Sequence, residues 1–591
     1  MADDHPVDEP VGAGSGVLAS SRRRRELGVW RGRPTWIENS GPGGEWQFMT
    51  YRDGDVVDVP GPASSTPFYG YGAPSWCSVS EDLRCLIVGS PSSLVVVSAE
   101  GAELARWECG GVAGYPVAMN DEAIAVIVHD PEQRRRRVVL WDWRARVVTT
   151  VLETDELVGD LTGSAILDQL AWLSWSSETM PWERARLHVA QNIEEQWRVR
   201  DVVLPGPAAQ PRWHDDELVV SCEAGEWYLP GSLRDDAWRV WDVPEGEYRP
   251  EEYFGWSWWA FSDDLVVASY VRESASYVGA WDGSTWRDVP GGPNYVTEMV
   301  GCRSEIFVLG ADEHDTAELW KWSTVSGAWE ALDRPVTRAL SRTWGIRRTP
   351  RDTPFRWRTP NAEPPDGAGE SLPGLMIRLH GGPARCASLA YDALDEALTG
   401  ADVAVASVDY RGSTSYGRMH RRALFGRWGE ADVEDALDVA AYLIEEGEVD
   451  PSRVFIRGSS AGALTALLAS ADDVFRGVVV VSPVSDPRGL LEHEDEFESG
   501  FTRVLLGTRG MDDSRSPRSK VADLARRGLV IHGARDPIVP VSHTRDFVAA
   551  WRASGADVTY IEFPDEGHSL RSSDAQRQAL AAELAFLRGP M

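Results

Sequence analysis

The stretch that most constrains this chain is a pentapeptide at residues 458–462 (GSSAG), set between a predicted strand and a predicted helix. Residues 454–456 before it are apolar and β-prone, and residues 463–469 after it favour a helix. A strand, a G-x-S-x-G turn and a helix are typical of the nucleophile elbow of an α/β-hydrolase. The glycines permit the strained turn, and the helix N-terminus favours negative charge beside Ser460. The sequence predicts a nucleophilic serine here; the alternative is an ordinary Gly/Ser turn.

A nucleophilic serine needs a base, an acid that orients the base, and an oxyanion hole. In α/β-hydrolases the acid and then the histidine follow the serine, each in a loop after a strand. Asp536 follows the predicted strand 529–531, and His568 follows the predicted strand 558–563. The carboxyl ends of strands are where such sheets place their chemistry, so we predict a triad of Ser460, Asp536 and His568.

Other polar residues near these positions receive a different interpretation. Asp565 and Glu566 are too close to His568 in the sequence to come from a separate strand end. His532 ends a strand and is interpreted as structural, whereas His543 starts a helix and is interpreted as a surface residue. On their own, Asp536 as a turn residue and His568 as a loop residue remain the alternatives.

An HGG loop follows the first predicted strand of this region, at residues 379–383 (LHGGP). Such a loop supplies a backbone N–H group to the oxyanion, and the residue after the serine supplies the second. The predicted donors are therefore the N–H groups of Gly382 and Ala461, and His380 is interpreted as a structural loop residue. This machinery requires no metal and no organic cofactor.

The N-terminal half of the chain repeats a two-strand unit with a turn, at a spacing of roughly 40–50 residues. The units lie at 47–51, 94–97, 138–143, 186–189, 226–229, 277–281 and 318–322. This period is typical of a four-stranded propeller blade, and the count predicts about seven blades. One blade cannot bury both faces, so we expect a closed ring in which tryptophan and β-branched residues pack blade against blade.

Beyond a Pro-rich connector, strands and helices alternate, which predicts an α/β-hydrolase domain with a doubly wound, mostly parallel sheet. The predicted divisions are an N-terminal tail over 1–28, which could dock on the hydrolase, a propeller over 29–340, a linker over 341–372 and a catalytic domain over 373–591. The final helix is expected from about 574 to 587.

Composition narrows the range of partners and locations. The net charge of −33 disfavours nucleic acid as a partner. There is no run of eighteen apolar residues and no apolar segment typical of a secretory signal, so no membrane association is expected. The six cysteines are scattered and form no C-x-x-C pair, which favours a cytoplasmic protein over a disulfide-rich or zinc-binding one.

These features together resemble the prolyl oligopeptidase family of serine peptidases, in its acylaminoacyl-peptidase and dipeptidyl-aminopeptidase-like branch. The resemblance covers nearly the whole chain and is most specific between the oxyanion loop and the elbow. The segments that carry it are 409–417 (DYRGSTSYG), 425–429 (FGRWG), 432–435 (DVED), 171–175 (AWLSW), 180–182 (MPW), 497–499 (FES) and 516–517 (SP). It implies the same triad and the same oxyanion donors.

The resemblance also implies a propeller that covers the active site and restricts entry to short peptides or small amides. A homo-oligomer is compatible with it. The chain departs from the branch at three places: Gly70 stands where the branch usually has a carboxylate, residues 176–179 (SSET) lack its usual charged groups, and Ala463 replaces a glycine after the elbow. The first two bear on aminopeptidase specificity, whereas the third is expected to be tolerated.

We therefore predict a cytoplasmic serine peptidase that hydrolyses amide bonds of short peptides through an acyl-enzyme, as an aminopeptidase, acylaminoacyl-peptidase or oligopeptidase. One alternative, motivated by Gly70, is a tailoring hydrolase or acyl transferase acting on a small metabolite. Another is a propeller binding module with an idle hydrolase domain.

Overall fold

The computed structural model describes residues 23–39, 46–64, 66, 68, 73–89, 91–234, 237–249, 257–262, 265–313, 318–333, 344–360, 372–491, 499–508 and 513–589. Residues 1–22 of the predicted tail, Gly70 and residues 497–498 lie outside these ranges. Within them, no helix is both long enough and apolar enough to cross a bilayer.

The first part of the described chain forms seven four-stranded antiparallel sheets, each built from four consecutive strands. The strands are β1 Arg23–Trp30, β2 Arg33–Asn39, β3 Gln47–Arg52, β4 Asp55–Asp58, β5 Trp76–Ser80, β6 Leu83–Val88, β7 Ser93–Ser98, β8 Glu103–Glu108, β9 Val112–Ala118, β10 Ala123–Asp130, β11 Arg135–Asp142, β12 Val147–Thr154, β13 Leu157–Ser164, β14 Gln169–Trp175, β15 Arg186–Ile193, β16 Gln196–Val202, β17 Ala208–His214, β18 Glu217–Ala224, β19 Trp227–Arg234, β20 Ala237–Val240, β21 Trp259–Ser262, β22 Leu265–Arg272, β23 Ala275–Trp281, β24 Trp286–Asp288, β25 Tyr295–Cys302, β26 Glu305–Ala311, β27 Leu319–Ser323 and β28 Trp329–Ala331. This is a seven-bladed β-propeller, as predicted.

Each repeat unit found in the sequence is the third strand of one blade, namely β3, β7, β11, β15, β19, β23 or β27. In the first and sixth blades the turn that follows runs through Asp53-Gly54 and Asp282-Gly283. Gly54 has a φ of 97° and Gly283 a φ of 92°, a backbone conformation that glycine adopts without steric cost. In these blades the third and fourth strands were therefore the easiest to find, because a glycine turn marks their junction.

The apolar cores lie between blades rather than within them. Ile87 of the second blade and Ile124 of the third, for example, belong to one buried cluster and are fully buried. The first strand of the first blade contacts that of the last, so β1 and β25 close the ring. There, the carboxylate of Glu298 accepts hydrogen bonds from the backbone N–H groups of Glu26 at 2.8 Å and Leu27 at 2.7 Å.

The rest of the chain forms one eight-stranded sheet in the order β29-β30-β32-β31-β33-β34-β35-β36. Its strands are β29 Gly345–Arg348, β30 Pro354–Arg358, β31 Gly374–Leu379, β32 Val403–Val408, β33 Val454–Ser459, β34 Gly477–Val481, β35 Arg527–Gly533 and β36 Asp557–Phe563. The six strands from β31 to β36 all run parallel to one another.

Helices cover this sheet on both faces, with α2 beside α9 and α4 beside α5. The α-helices of the described residues are α1 Pro181–Arg184, in the propeller, and α2 Ala393–Gly400, α3 Arg418–Arg422, α4 Ala431–Glu445, α5 Ala461–Ala469, α6 Pro487–Leu490, α7 Ser499–Leu506, α8 Val541–Ala553 and α9 Ser573–Arg588. The prediction of a doubly wound, mostly parallel α/β-hydrolase sheet is confirmed.

The structure differs from two of the predicted domain limits. The segment 341–372, predicted to be a linker, contributes β29 and β30, and β30 pairs antiparallel with β32. The predicted tail over 1–28 overlaps β1, which begins at Arg23 and pairs with β2. The sequence did not predict β1 or β30, because the arginines of both strands and the proline of β30 are typical of exposed connectors. Every residue of β30 is nevertheless buried in the structure.

The propeller packs on the loops that follow β31 and β32. Ser274 of the propeller donates to Asp409 Oδ2 at 2.7 Å, and the N–H of Glu273 donates to the carbonyl of Ser415 at 2.9 Å. On another side, the N–H of Tyr391 donates to the carbonyl of Asp312 at 2.9 Å. The blades therefore lie against the carboxyl edge of the parallel sheet.

Candidate active site

Ser460 occupies a strained turn between β33 and α5, with φ 54° and ψ −119°. Glycine is required on both sides of it, since a Cβ on Gly458 would lie 2.1 Å from the carbonyl oxygen of Gly462. A Cβ on Gly462 would lie 2.4 Å from the carbonyl oxygen of His380. The backbone therefore has the geometry of a nucleophile elbow, which projects the serine from the carboxyl edge of the sheet.

The HGG loop lies directly against this turn. A Cβ on Gly381 would be 3.3 Å from the Cβ of Ser460, and Gly382 has a φ of 57°. Ala461 is the first residue of α5, whose N–H has no partner within the helix. Neither the Gly382 N–H nor the Ala461 N–H has a hydrogen-bond acceptor among the described residues. Both groups are thus free to donate to an oxyanion.

His380, interpreted from the sequence as structural, lies on the other side of this loop. Its Nε2 is 2.7 Å from Ser413 Oγ, and its ring stacks on Tyr410 with a centroid distance of 4.3 Å. The OH of Tyr410 also donates to the His380 carbonyl at 3.0 Å. These contacts hold the loop in place and engage the histidine ring with Ser413 and Tyr410.

Asp536 and His568 meet at the end of the neighbouring strands. His568 Nδ1 lies 2.8 Å from Asp536 Oδ2. Because a carboxylate only accepts, Nδ1 carries the hydrogen and Nε2 is left free to accept a proton. Ser482 Oγ donates to the backbone carbonyl of His568 at 2.9 Å, so the loop that carries the imidazole is anchored to the end of β34.

The environment keeps Asp536 ionised. Burial raises the pKa of its carboxyl group, but hydrogen bonds from His532 and His568, the charge of His568 and the backbone N–H of Val539 outweigh burial and hold that pKa well below its ordinary value. The charged acid is the form that fixes an imidazole tautomer and stabilises an imidazolium.

The sequence-predicted triad residues therefore lie at one edge of the sheet: Ser460 after β33, Asp536 after β35 and His568 after β36. Among the described residues, no hydrogen bond joins the Ser460 hydroxyl to the His568 ring. Catalytic hydrogen bonds of unliganded enzymes are often long and shorten only when substrate binds.

Sequence reasoning missed one partner of this group, His532. Its Nε2 lies 2.9 Å from Asp536 Oδ2, the same oxygen that receives His568. The two residues are four positions apart at the end of β35, but their contact depends on how the loop folds back, which the spacing does not show.

The rejected acid candidates have other roles in the structure. The Glu566 carboxylate accepts from the N–H groups of Arg571 at 2.6 Å and Ser572 at 3.0 Å, just before α9. Asp565 is 73% exposed and pairs with Arg535 on the surface. Neither side chain has a contact with His568 among the described interactions.

A cavity of about 370 Å³ opens beside His568. Its walls include Val481, Leu570 and Ala579, and the ion pair of Arg457 with Glu583 at 2.7 Å lies at its lining. The lining is therefore largely apolar and neutral, with charged side chains at Asp392, Arg457 and Glu583.

Comparison with known proteins agrees with this geometry. Residues 391–590 match the prolyl oligopeptidase family. Dipeptidyl aminopeptidase BIII of Pseudoxanthomonas mexicana is 29% identical over 234 residues, which are 38% of this chain and 34% of that protein. An acylamino-acid-releasing enzyme of Arabidopsis thaliana is 28% identical over 209 residues, covering 33% of this chain and 27% of that protein. The chain thus spans about a third or less of the length of these relatives.

Among solved structures, a puromycin-hydrolyzing peptidase of Mycobacterium tuberculosis superposes with a TM-score of 0.87. The match is 23% identical and covers 96% of this chain and 95% of that one, so it shows a shared two-domain fold. With the family match to residues 391–590, which include Ser460, Asp536 and His568, the family predicted from the sequence is confirmed: this chain carries a prolyl oligopeptidase family domain.

Proposed function

We propose that this protein is a serine peptidase that hydrolyses amide bonds of short peptides through an acyl-enzyme. The observation that carries the proposal is the hydrogen bond from His568 to the buried, ionised Asp536, at the same sheet edge as the Ser460 elbow. Asp536 orients the imidazole and stabilises its charged form, which prepares Nε2 to act as a base.

In the proposed reaction, Ser460 Oγ attacks the scissile carbonyl carbon while His568 takes its proton. The tetrahedral oxyanion accepts hydrogen bonds from the N–H groups of Gly382 and Ala461, each worth about 3–4 kcal/mol of transition-state stabilisation. His568 then protonates the leaving amine, and a water molecule activated by the same imidazole releases the acyl group.

The position of the propeller supports a limit on substrate size. Its loops contact the hydrolase around Tyr391, Asp409 and Ser415, all after the carboxyl ends of parallel strands. A folded protein would have to displace these contacts to reach Ser460, whereas a short peptide would not. We also propose a cytoplasmic location, because all six cysteines are unpaired.

The test combines a covalent probe with a substrate panel. Wild type should react with a fluorophosphonate probe, Ser460→Ala should not, and Ser452→Ala, which removes a hydroxyl from the turn before β33, should react like wild type. The panel contains aminoacyl-, dipeptidyl- and N-acyl-aminoacyl-nitroanilides and the aminoacyl amide puromycin. Ser460→Ala should lower kcat by on the order of 10⁴–10⁶-fold on any of them. A Ser460→Ala variant that keeps a tenth of the activity would reject the assignment.

A tailoring hydrolase or acyl transferase is the second candidate, favoured by Gly70 in place of the branch's usual carboxylate. It predicts that the probe labels Ser460 while none of the panel substrates is turned over. Absence of labelling would instead favour a propeller binding module with an idle hydrolase domain.

A further inference from the structure

Asp536 receives hydrogen bonds on both carboxylate oxygens. Oδ1 accepts from the N–H groups of Ile538 at 2.8 Å and Val539 at 3.0 Å. Oδ2 accepts from His568 Nδ1 at 2.8 Å and from His532 Nε2 at 2.9 Å. The two backbone hydrogen bonds fix Oδ1, so the direction of Oδ2 depends on the groups that donate to it. The proposed triad accounts for only one of the two donors to Oδ2.

His532 is itself held rigidly. Its side chain is 0% exposed, and its Nδ1 lies 2.8 Å from the hydroxyl of Thr544, which is also fully buried on α8. Since Asp536 only accepts, His532 Nε2 carries a hydrogen. His532 also belongs to β35, whose backbone pairs with β34 and β36 on either side. Strand, helix and loop thus converge on one imidazole that has no place in the proposed reaction.

We propose that His532 is a positioning residue of this site. Its ring is held by the hydrogen bond to Thr544, and its own hydrogen bond to Asp536 orients Oδ2 so that this oxygen can accept from the His568 Nδ1–H. The inference rests on the proposed serine-peptidase function for its kinetic readout only. A carboxylate that lost this donor would be free to rotate about its Cβ–Cγ bond within the remaining contacts, and His568 would lose its fixed orientation.

The same contact divides the negative charge of Asp536 between two donors. Removing the donor at His532 leaves more of that charge to His568, which stabilises the imidazolium. The charged groups nearby include Glu562, which lies opposite His532 on β36, and Arg545 of α8, which pairs with Glu562. The Arg457–Glu583 ion pair lies at the cavity beside His568.

Two substitutions at one position separate positioning from folding. His532→Leu removes the donor, whereas His532→Gln places an amide N–H close to where Nε2 stands. We expect His532→Leu to lower kcat by about tenfold to a hundredfold, less than the roughly 10⁴-fold loss expected when a triad acid is lost. In a plot of kcat/KM against pH, the fall in activity on the acid side (the acid limb) should shift to higher pH by about half to one pH unit. His532→Gln should recover most of the rate and keep the wild-type limb.

A matched control is His214→Leu, which removes a propeller histidine stacked on Phe261 and should leave both quantities unchanged. A His532→Leu variant with a lower melting temperature but the wild-type kcat and acid limb would overturn the proposal, because that pattern indicates packing alone. So would a His532→Gln variant that behaves like His532→Leu while remaining folded.

A readout independent of turnover distinguishes failure of this inference from failure of the proposed function. The His568 Nδ1 proton should give a low-field proton resonance that is absent in His568→Ala. Its position should change in His532→Leu and be retained in His532→Gln, whether or not any substrate is cleaved. An unchanged resonance in His532→Leu would overturn the positioning role even in a fully active enzyme, and a changed one would support it even if the panel identifies no peptide substrate.

Discussion

Arg421 of the hydrolase domain donates to Glu247 of the propeller at 2.9 Å, and each of these side chains is only 1% exposed. Arg421 also bonds Glu223 and lies 3.3 Å from Glu183, so three carboxylates from separate parts of the propeller surround one guanidinium. Burial lowers the pKa of Arg421, but the carboxylates outweigh burial and raise it. The charge is therefore permanent, and it joins the two domains.

Removing this guanidinium should destabilise the protein strongly. Arg421→Gln leaves buried carboxylates without their counterion, a change that typically costs about 3–5 kcal/mol. We expect a lower midpoint of urea unfolding and faster proteolysis at the domain boundary. The control is Arg427→Gln, whose partner Glu434 is 56% exposed, and which should cost less than about 1 kcal/mol. Equal effects of the two substitutions would show that the buried cluster does not join the domains.

The choice of acid in the proposed triad is tested by replacing two aspartates in adjacent loops. Asp536→Asn keeps the shape of the side chain but presents an amide where His568 needs an acceptor, and should lower kcat by about 10⁴-fold. Asp565→Asn changes a residue that is 73% exposed and should leave kcat unchanged. Discontinuous assays measure turnover, and active-site titration counts the competent sites, so together they separate loss of turnover from loss of folded enzyme. A large effect at position 565 and a small one at 536 would reverse the assignment.

The elbow should not tolerate even one added methyl group. In Gly462→Ala the new Cβ would lie 2.4 Å from the carbonyl oxygen of His380 and 2.6 Å from that of Leu379, so α5 must shift away from β31. We expect a loss of about 1–3 kcal/mol or more and a large fall in kcat, because Ser460 moves with the helix. Gly400→Ala, at the end of α2 with open space around it, should be neutral or stabilising by up to about 1 kcal/mol. Thermal melts and kcat of both variants provide the measurement.

Much of the fold and of the candidate site could be predicted from the sequence, because short motifs of neighbouring residues determine them. The G-x-S-x-G turn, the HGG loop and the loops carrying Asp536 and His568 each follow an apolar run that predicts a strand. The glycine turns of the blades are equally local. Fold class and candidate triad could therefore be predicted before any coordinates.

What could not be predicted depends on contacts distant in sequence. β30 is rich in arginine and resembles a connector, and its pairing with β29 and β32 makes it a strand. Its arginines have distant partners: Arg356 donates to the carbonyl of Ser274 and Arg358 pairs with Glu396. His532 was similarly interpreted as structural, since its link to Asp536 depends on how the loop folds back. The partners of polar residues in apolar strands lie on other elements, far away in the sequence. A local sequence pattern therefore does not show them.

Glu298 gives the protein a pH-dependent stability at the propeller's closing seam. Burial raises the pKa of its carboxyl group to about 7, although the N–H groups of Leu27 and Glu26 oppose this and the charge of Glu26 adds to it. A folded-state pKa above the ordinary value of 4.5 means that stability is fully present below that value and is lost as pH rises through about 7.

Glu298→Gln should remove this dependence, since glutamine does not ionise. We expect the free energy of unfolding of wild type, relative to Glu298→Gln, to fall by up to roughly 3 kcal/mol between pH 4.5 and pH 8. Glu305→Gln changes a partly exposed carboxylate of the same blade and should follow wild type across that range. Melting curves of the three proteins at several pH values measure the difference. A constant offset between wild type and Glu298→Gln would mean that the carboxylate is ionised throughout, and that its two backbone hydrogen bonds, rather than burial, set its charge where β1 meets β25.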